Sequence, residues 1–142
     1  MNGLEFFERL QTDMRLDLGS HTFEEEEIIR FARKFDPQPF HLDAEQARHS
    51  IFGGLCASGW HTASIWMRHN MIHGAKEWLQ VSGHTGEEPV LGPSPGVRNL
   101  RWPAPVFVGD TVTFSSTLTG KRINPKRAGW ALLTVYSSGI NQ

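Results

Sequence analysis

The sequence predicts an α+β fold in which an antiparallel sheet wraps one long, largely apolar helix, and three observations predict it. A chain of 142 residues is long enough to bury one core and short for two. Between Ser58 and Gly74, Trp60, Ala63, Ile65, Trp66, Met67, Met71 and Ile72 are scattered round most of a helical circumference, so that helix needs cover on several sides. Beyond residue 96, runs rich in β-branched and aromatic residues follow one another, which is the texture of strands.

The elements follow in order. Residues 15–22, "RLDLGSHT", alternate enough for a short strand. Thr22 and Glu25 have the spacing of a reciprocal capping box, which predicts a helix over 23–35 with Ile28, Phe31, Ala32 and Phe35 on its apolar face. Glu24 to Glu27 load its first turns with charge that the macrodipole favours, and read as a solvated face. Pro37 and Pro39 stop the helix, leaving Asp36 at its end. Asp43 with Gln46 predicts a second capped helix over 44–49, and "FGG" at 52–54 a flexible crossing.

The long helix runs from Ser58 as N-cap to Gly74 as its stop. Residues 82–96 are rich in Gly, Pro, Ser and Glu and read as a loop. Strands are expected over 97–102, 105–108, 111–121 and 128–138, with turns at Gly109-Asp110 and at "RINPKR". No repeat, low-complexity tract or linker divides the chain, so it reads as a single domain, 1–142.

Composition excludes several functions. With 14 Lys and Arg against 15 Asp and Glu the net charge is -1, which supplies no footprint for nucleic acid or an anionic membrane. The start, "MNGLEFFERLQTDMR", alternates apolar and charged residues, and nowhere do eighteen apolar residues run together, so a cytoplasmic protein without signal peptide or membrane span is expected. The single cysteine, Cys56, cannot form an intramolecular disulfide and reads as a small buried hydrophobe. His69 and His73 have the i, i+4 spacing of a zinc pair, but no third ligand is evident and no metal is expected.

The stretch "FDPQPFHLD" (35–43) fixes a carboxylate and an imidazole five positions apart in a proline-stiffened turn. Together with its surroundings, "FARKFDPQPFHLDAEQARHSIFGGLCASGWHTASIWMR" (31–68), it resembles the hydratase motif of the MaoC-like hot dog family, which includes (R)-specific enoyl-CoA hydratases and related acyl dehydratases. That family's D-x-x-P-x-H segment is matched by Asp36, Pro39 and His41, and its helix-initial glycine, eighteen residues past the histidine, by Gly59. "LRWPAPVFVGDTVTFSSTLTGKR" (100–122) is similar to the family's strand-turn-strand segment, so the resemblance covers roughly 23–138. Two departures stand out: Ser58 occupies a position where many members have histidine, and the chain ends at Gln142, near where longer members have a further closing strand.

The resemblance implies the hot dog fold and catalysis by Asp36, His41 and Gly59. Hydrating a C=C bond conjugated to a thioester needs a base for water, an acid for the α-carbon and donors for the enolate oxygen. Asp36 and His41 are cast as a pair that shares the proton work, with acid and base roles left open. The Gly59 N–H, in a helix's first turn, is the candidate enolate donor, and glycine would let a thioester approach closely. Ser58 and Trp60 are candidate substrate-binding residues, with Trp66 either core or pocket wall. Asp43 reads more simply as a helix cap than as a third acid. A pocket shaped by Ser58, Trp60 and Trp66 is expected to prefer short or branched acyl groups.

No cofactor is expected beyond CoA, carried in as part of an acyl-CoA substrate whose phosphates Arg101, Lys121, Arg122, Lys126 and Arg127 could contact. An edge strand and a half-open pocket call for pairing between copies, so a homodimer or higher homo-oligomer is the implied assembly. A hot dog acyl-CoA thioesterase and a non-catalytic acyl-CoA-binding module are the alternative functions.

Overall fold

The computed structural model describes residues 3–142; the first two residues of the expected domain and of the N-terminal stretch lie outside the described residues. The element order is α1 (Gly3–Arg9), β1 (Arg15–Thr22), α2 (Glu25–Phe35), α3 (Pro39–Leu42), α4 (Ala44–Arg48), α5 (Gly59–Ser82), β2 (Thr111–Ile123) and β3 (Ala131–Asn141). The strands form one sheet in the order β1-β2-β3. Its antiparallel sense shows in the side-chain pairs Ser20–Thr113 and Thr22–Thr111 across β1 and β2, and Ser115–Ser138 and Ser116–Ser137 across β2 and β3. The α+β class is as expected.

Several element boundaries differ from the expectation, each for a physical reason. α2 is capped by Glu24, not Thr22: the Glu24 side chain accepts from the third helical N–H, and the Glu27 side chain accepts from the Glu24 N–H at 2.9 Å. The chain stays extended through Phe23, which is fully buried and exchanges backbone hydrogen bonds with Asp110 and Gly109, while the Thr22 hydroxyl pairs with that of Thr111. The helix therefore starts later, and the acidic run is only partly a solvated face, because Glu27 is half-buried and bonded. Asp43 caps α4 as expected, accepting from Gln46 N–H at 2.9 Å.

α5 does not stop at Gly74 but continues to Ser82, where Gly83 at φ +64° ends it. An internal glycine costs about 1 kcal/mol against alanine, which burial of Trp78 one turn further on offsets. Nor is the helix buried on all its apolar positions: Trp60, Met67, Met71 and Ile72 are exposed in the single chain. The run 97–102 is not a strand, since Asn99 adopts φ +56° and Pro103 follows. Of 105–108 only an isolated bridge from Phe107 to Cys56 remains. The last two strands lie close to where they were expected. The helix at Gly3–Arg9 was not anticipated.

By internal contacts the chain divides into two compact units. One comprises the chain up to Gly19, His69–Pro93 and Phe114–Gly139. There the second half of α5 lies on the sheet: His69 Nδ1 donates to the Leu18 carbonyl at 2.7 Å, Glu77 accepts from Asp17 N–H, and Leu16, Leu18, Trp78, Phe114 and Leu118 are buried. The other comprises Ser20–Arg68, Ser94–Thr113 and Ile140–Gln142. Its core includes Phe23, Ile28, Ala32, Ala47, Leu55, Cys56, Val106 and Val112. All of the candidate catalytic residues belong to this second unit.

Candidate active site

Asp36 is the C-cap of α2, its N–H still bonded to Ala32 O, and Pro37 ends the helix behind it. Gln38 is extended, as a residue before proline must be, and Pro39 takes the first position of α3, where its missing N–H costs nothing. The expected turn is thus a single helical turn, which carries His41 back toward Asp36. His41 Nε2 lies 3.4 Å from Asp36 Oδ2.

The remaining polar atom of each side chain is occupied. His41 Nδ1 is 2.6 Å from the Cys56 carbonyl, which can only accept, so Nδ1 carries a proton and, in the neutral form of the ring, the lone pair lies at Nε2. Asp36 Oδ1 accepts from Gln38 Nε2 at 2.7 Å, and Oδ2 accepts from Ser58 Oγ at 2.7 Å. Burial pushes the Asp36 pKa up, but the hydrogen bonds from Ser58 and Gln38 and the attraction of His41 in its protonated form together outweigh it and hold the carboxyl below its ordinary value of 3.8. Near neutral pH it is therefore ionised. His41 is almost completely buried, with the Phe40 ring edge-on to it at 4.6 Å.

Ser58 joins this pair to the start of α5. It is fully buried, donates to Asp36, and accepts from Trp60 N–H at 3.2 Å as an N-cap does. Gly59 is the first residue of the helix, so its N–H belongs to the group that a helix leaves without an intrahelical partner. Trp60 is 58% exposed and, with Phe31, Phe35 and Ser64, lines an open apolar cleft of about 250 Å³. The structure thus brings Asp36, His41 and Ser58 into one hydrogen-bonded group, with Gly59 and Trp60 next along the chain. Burial raises the Cys56 thiol to about 11, consistent with an inert hydrophobe.

Three contributors were not singled out from sequence. Gln38 had a signal, since it lies inside the D-x-x-P segment. The Cys56 carbonyl had none, because a backbone acceptor has no residue type. Trp102 lay within the quoted strand segment, yet only the fold reveals that its indole rests on Gly59. Among the described residues no group of three or more His, Cys, Asp or Glu is placed to hold a metal, and no helix is long and apolar enough to cross a membrane. Of the basic candidates, Lys121 already donates to Phe7 O and Arg127 stacks on Trp130, while Arg101, Arg122 and Lys126 are exposed.

The chain is similar to known proteins along most of its length. The family model described as "MaoC like domain" matches residues 8–131. The chain is 32% identical over 117 residues to the uncharacterized protein YdeM of Bacillus subtilis (strain 168), covering 82% of this chain and 74% of that one. Among solved structures it is similar to the MaoC-like dehydratase from Rhodospirillum rubrum, at 38% identity and a TM-score of 0.72, over 96% of this chain and 86% of that one. The (R)-hydratase from A. caviae involved in PHA biosynthesis shares the fold at 24% identity and a TM-score of 0.56, over 94% and 86% of the two chains. The hot dog architecture expected from the motif is therefore the one this chain adopts, and the chain belongs to the MaoC-like dehydratase domain family.

Proposed function

We propose that the protein adds water to a 2-enoyl-CoA to give a 3-hydroxyacyl-CoA and catalyses the reverse dehydration, with residues 1–142 acting as one domain. The observation that carries this reading is the 3.4 Å approach of His41 Nε2 to Asp36 Oδ2 while Oδ1 and Nδ1 are each tied elsewhere. A water lying beside the two, within hydrogen-bond reach of both, gives one hydrogen bond to the carboxylate and offers its other hydrogen to the Nε2 lone pair. As the water oxygen bonds to the β-carbon, Nε2 takes the proton, and the imidazolium is stabilised by the ionised carboxylate beside it. The electron pair of the C=C bond shifts to join the α-carbon to the carbonyl carbon and the carbonyl π pair moves onto the thioester oxygen, which the Gly59 N–H receives at the positive end of α5. Nε2 then returns the proton to the α-carbon as the enolate collapses, leaving the pair as it began.

Ser58 acts on this scheme through Asp36, which it holds ionised and oriented, and is not itself a wall of the pocket. Trp60, Phe31 and Phe35 hold a short or branched acyl group in the cleft, and the exposed Arg101, Arg122 and Lys126 are the basic residues we assign to CoA phosphates. The reaction calls for no cofactor beyond the CoA of the substrate, and we place it in the cytoplasm with the acyl-CoA pool. A second copy of the chain covers the exposed Met67, Met71 and Ile72 of α5, giving a homodimer.

The test is an absorbance assay of purified protein against a panel of enoyl-CoA thioesters, with chiral analysis of the product. Loss of the conjugated chromophore with formation of one 3-hydroxyacyl-CoA enantiomer is expected. Release of free CoA would instead identify a thioesterase, and binding without turnover an acyl-CoA-binding module.

A further inference from the structure

Gly59 is the candidate enolate donor, and the space in front of its α-carbon is filled by a side chain of this protein. A Cβ built on Gly59 would lie 2.3 Å from Trp102 Cδ2, 2.4 Å from Cε2 and 2.7 Å from Cγ. Atoms of a rigid indole cannot yield at such distances as the end of a flexible chain would, so glycine at 59 is the residue that admits Trp102, and on this face it does not leave the close approach for a thioester that the sequence suggests. Trp60 meets the same indole edge-to-face at a centroid distance of 5.2 Å, and the two rings form a corner beside the first N–H groups of α5. Trp102 nevertheless remains 45% exposed, so part of the ring is not spent on packing. It lies in a segment without regular structure, between Asn99 at φ +56° and the pair Pro103 and Pro105, which restricts the backbone that carries it.

We propose that Trp102 is a specificity-determining residue that restricts substitution at the α-carbon of the acyl group. This rests on the hydratase reading above. If the thioester oxygen sits on the Gly59 N–H, the carbonyl carbon has two other neighbours, sulfur and the α-carbon. The sulfur side is the same methylene chain in every CoA thioester, so a wall at this place discriminates on the acyl side, where the α-carbon is the atom next to the carbonyl and the first to meet it. A hydrogen fits beside the indole and a methyl group meets it. The expected short or branched acyl group is thereby narrowed to one unbranched at the α-carbon.

The experiment has two arms on the full-length protein. The first measures kcat/KM for crotonyl-CoA and for 2-methylcrotonyl-CoA in wild type, Trp102→Ala and Trp102→Phe. The ratio of branched to unbranched substrate should rise at least about tenfold in Trp102→Ala, the scale of one methyl group in an apolar pocket, and should change much less in Trp102→Phe. An unchanged ratio in Trp102→Ala, with both substrates slowed alike, would show that the indole only supports the fold and would overturn the assignment. Should Trp102→Ala not fold, Trp102→Leu makes the same comparison.

The second arm does not depend on activity. Gly59→Ala should lower Tm by roughly 4–12 °C with Trp102 present, as overpacking does, and by far less in the Trp102→Ala background. Equal losses in both backgrounds would mean the indole does not rest on Gly59 in solution, and the proposal would fail. A wild-type protein that turns over no enoyl thioester would overturn the reaction and the substrate assignment together, while the Tm comparison would still report whether Trp102 occupies the glycine's α face.

Discussion

The second compact unit holds two acid–histidine groups that look alike as a list of residues and differ in what they leave open. In one, Asp36 faces His41 Nε2 at 3.4 Å, and bonds to Gln38, Ser58 and the Cys56 carbonyl fix both partners while none of these three goes to Nε2. In the other, Glu27 is closed upon. His21 Nε2 bonds both of its oxygens at 2.9 and 3.1 Å, the Glu24 N–H takes Oε1 again, and His61 Nε2 stands off at 3.9 Å. His61 is clamped by Phe31, stacked at 4.7 Å, and by Phe23, and its buried Nδ1 has no hydrogen-bond partner among the described residues. Proximity of acid and base does not distinguish the groups. What does is whether a substrate-derived water can still find an acceptor there, and this separates a candidate catalytic pair from a structural one.

Breaking the open pair should have the largest effect. His41→Gln and Asp36→Asn are each expected to lower kcat on the best enoyl-CoA by about 10²–10⁴ with fold and oligomer retained, as steady-state kinetics and circular dichroism would show. The next effect concerns the enolate donor. Proline at 59 removes the N–H while suiting a first helical position, but its Cβ would meet Trp102 just as alanine's would. Comparing Gly59→Pro with Gly59→Ala, both in the Trp102→Ala background, isolates the N–H. A kcat about 10²–10³ lower for proline is the expected difference, and equal values would place enolate stabilisation elsewhere.

Smaller effects sharpen the contrast. Ser58→Ala takes one hydrogen bond from Asp36 and the cap from α5, so kcat should fall by about tenfold and stability by about 1 kcal/mol in urea unfolding. Glu27→Ala, in the closed group, should cost about 1–2 kcal/mol of stability through the lost capping box and histidine partner, yet leave kcat within about threefold. A larger kinetic loss with stability intact would mean the closed group takes part in catalysis. The smallest effect concerns pH. Burial holds the His61 pKa below its ordinary value of 6.5; Glu27 opposes this, and His21 and Arg30 reinforce it. Below pH 6.5 the unfolded chain then takes up a proton that the folded one refuses, so His61's contribution is complete above 6.5 and declines as pH falls from there toward its folded pKa. The slope for one proton is at most about 1.4 kcal/mol per pH unit, and His61→Phe should flatten that part of the stability profile.

How much of this was legible in the sequence depended on whether the cause was local. Asp36, Pro39 and His41 lie within six positions, so proline chemistry and motif spacing sufficed to place them in one turn. Ser58 as N-cap and Asp43 as a cap were legible for the same reason. What failed was decided at long range. Thr22 lost its capping role because β1 pairs with β2 ninety residues on and keeps Phe23 extended. Gly74 did not end α5 because burial of Trp78 outweighs a glycine's helix cost, and the 97–102 run lost its strand to a left-handed Asn99 and the prolines after it. The hydrogen bond from His41 to the Cys56 carbonyl, and the indole on Gly59, are invisible to a reading of residue types because one partner is backbone in each case.

The claim that matters most is that Asp36 and His41 act as one unit on one water. The most direct measurement is a double-mutant cycle in kcat on a single enoyl-CoA, comparing Asp36→Asn, His41→Gln and the double variant. A joint role predicts that the double variant is only a few-fold slower than the slower single, because either change already disables the shared water. Losses that multiply, so that the double variant shows the product of the two single effects, would mean that the residues contribute independently, and wild-type turnover in either single variant would remove the pair from the mechanism.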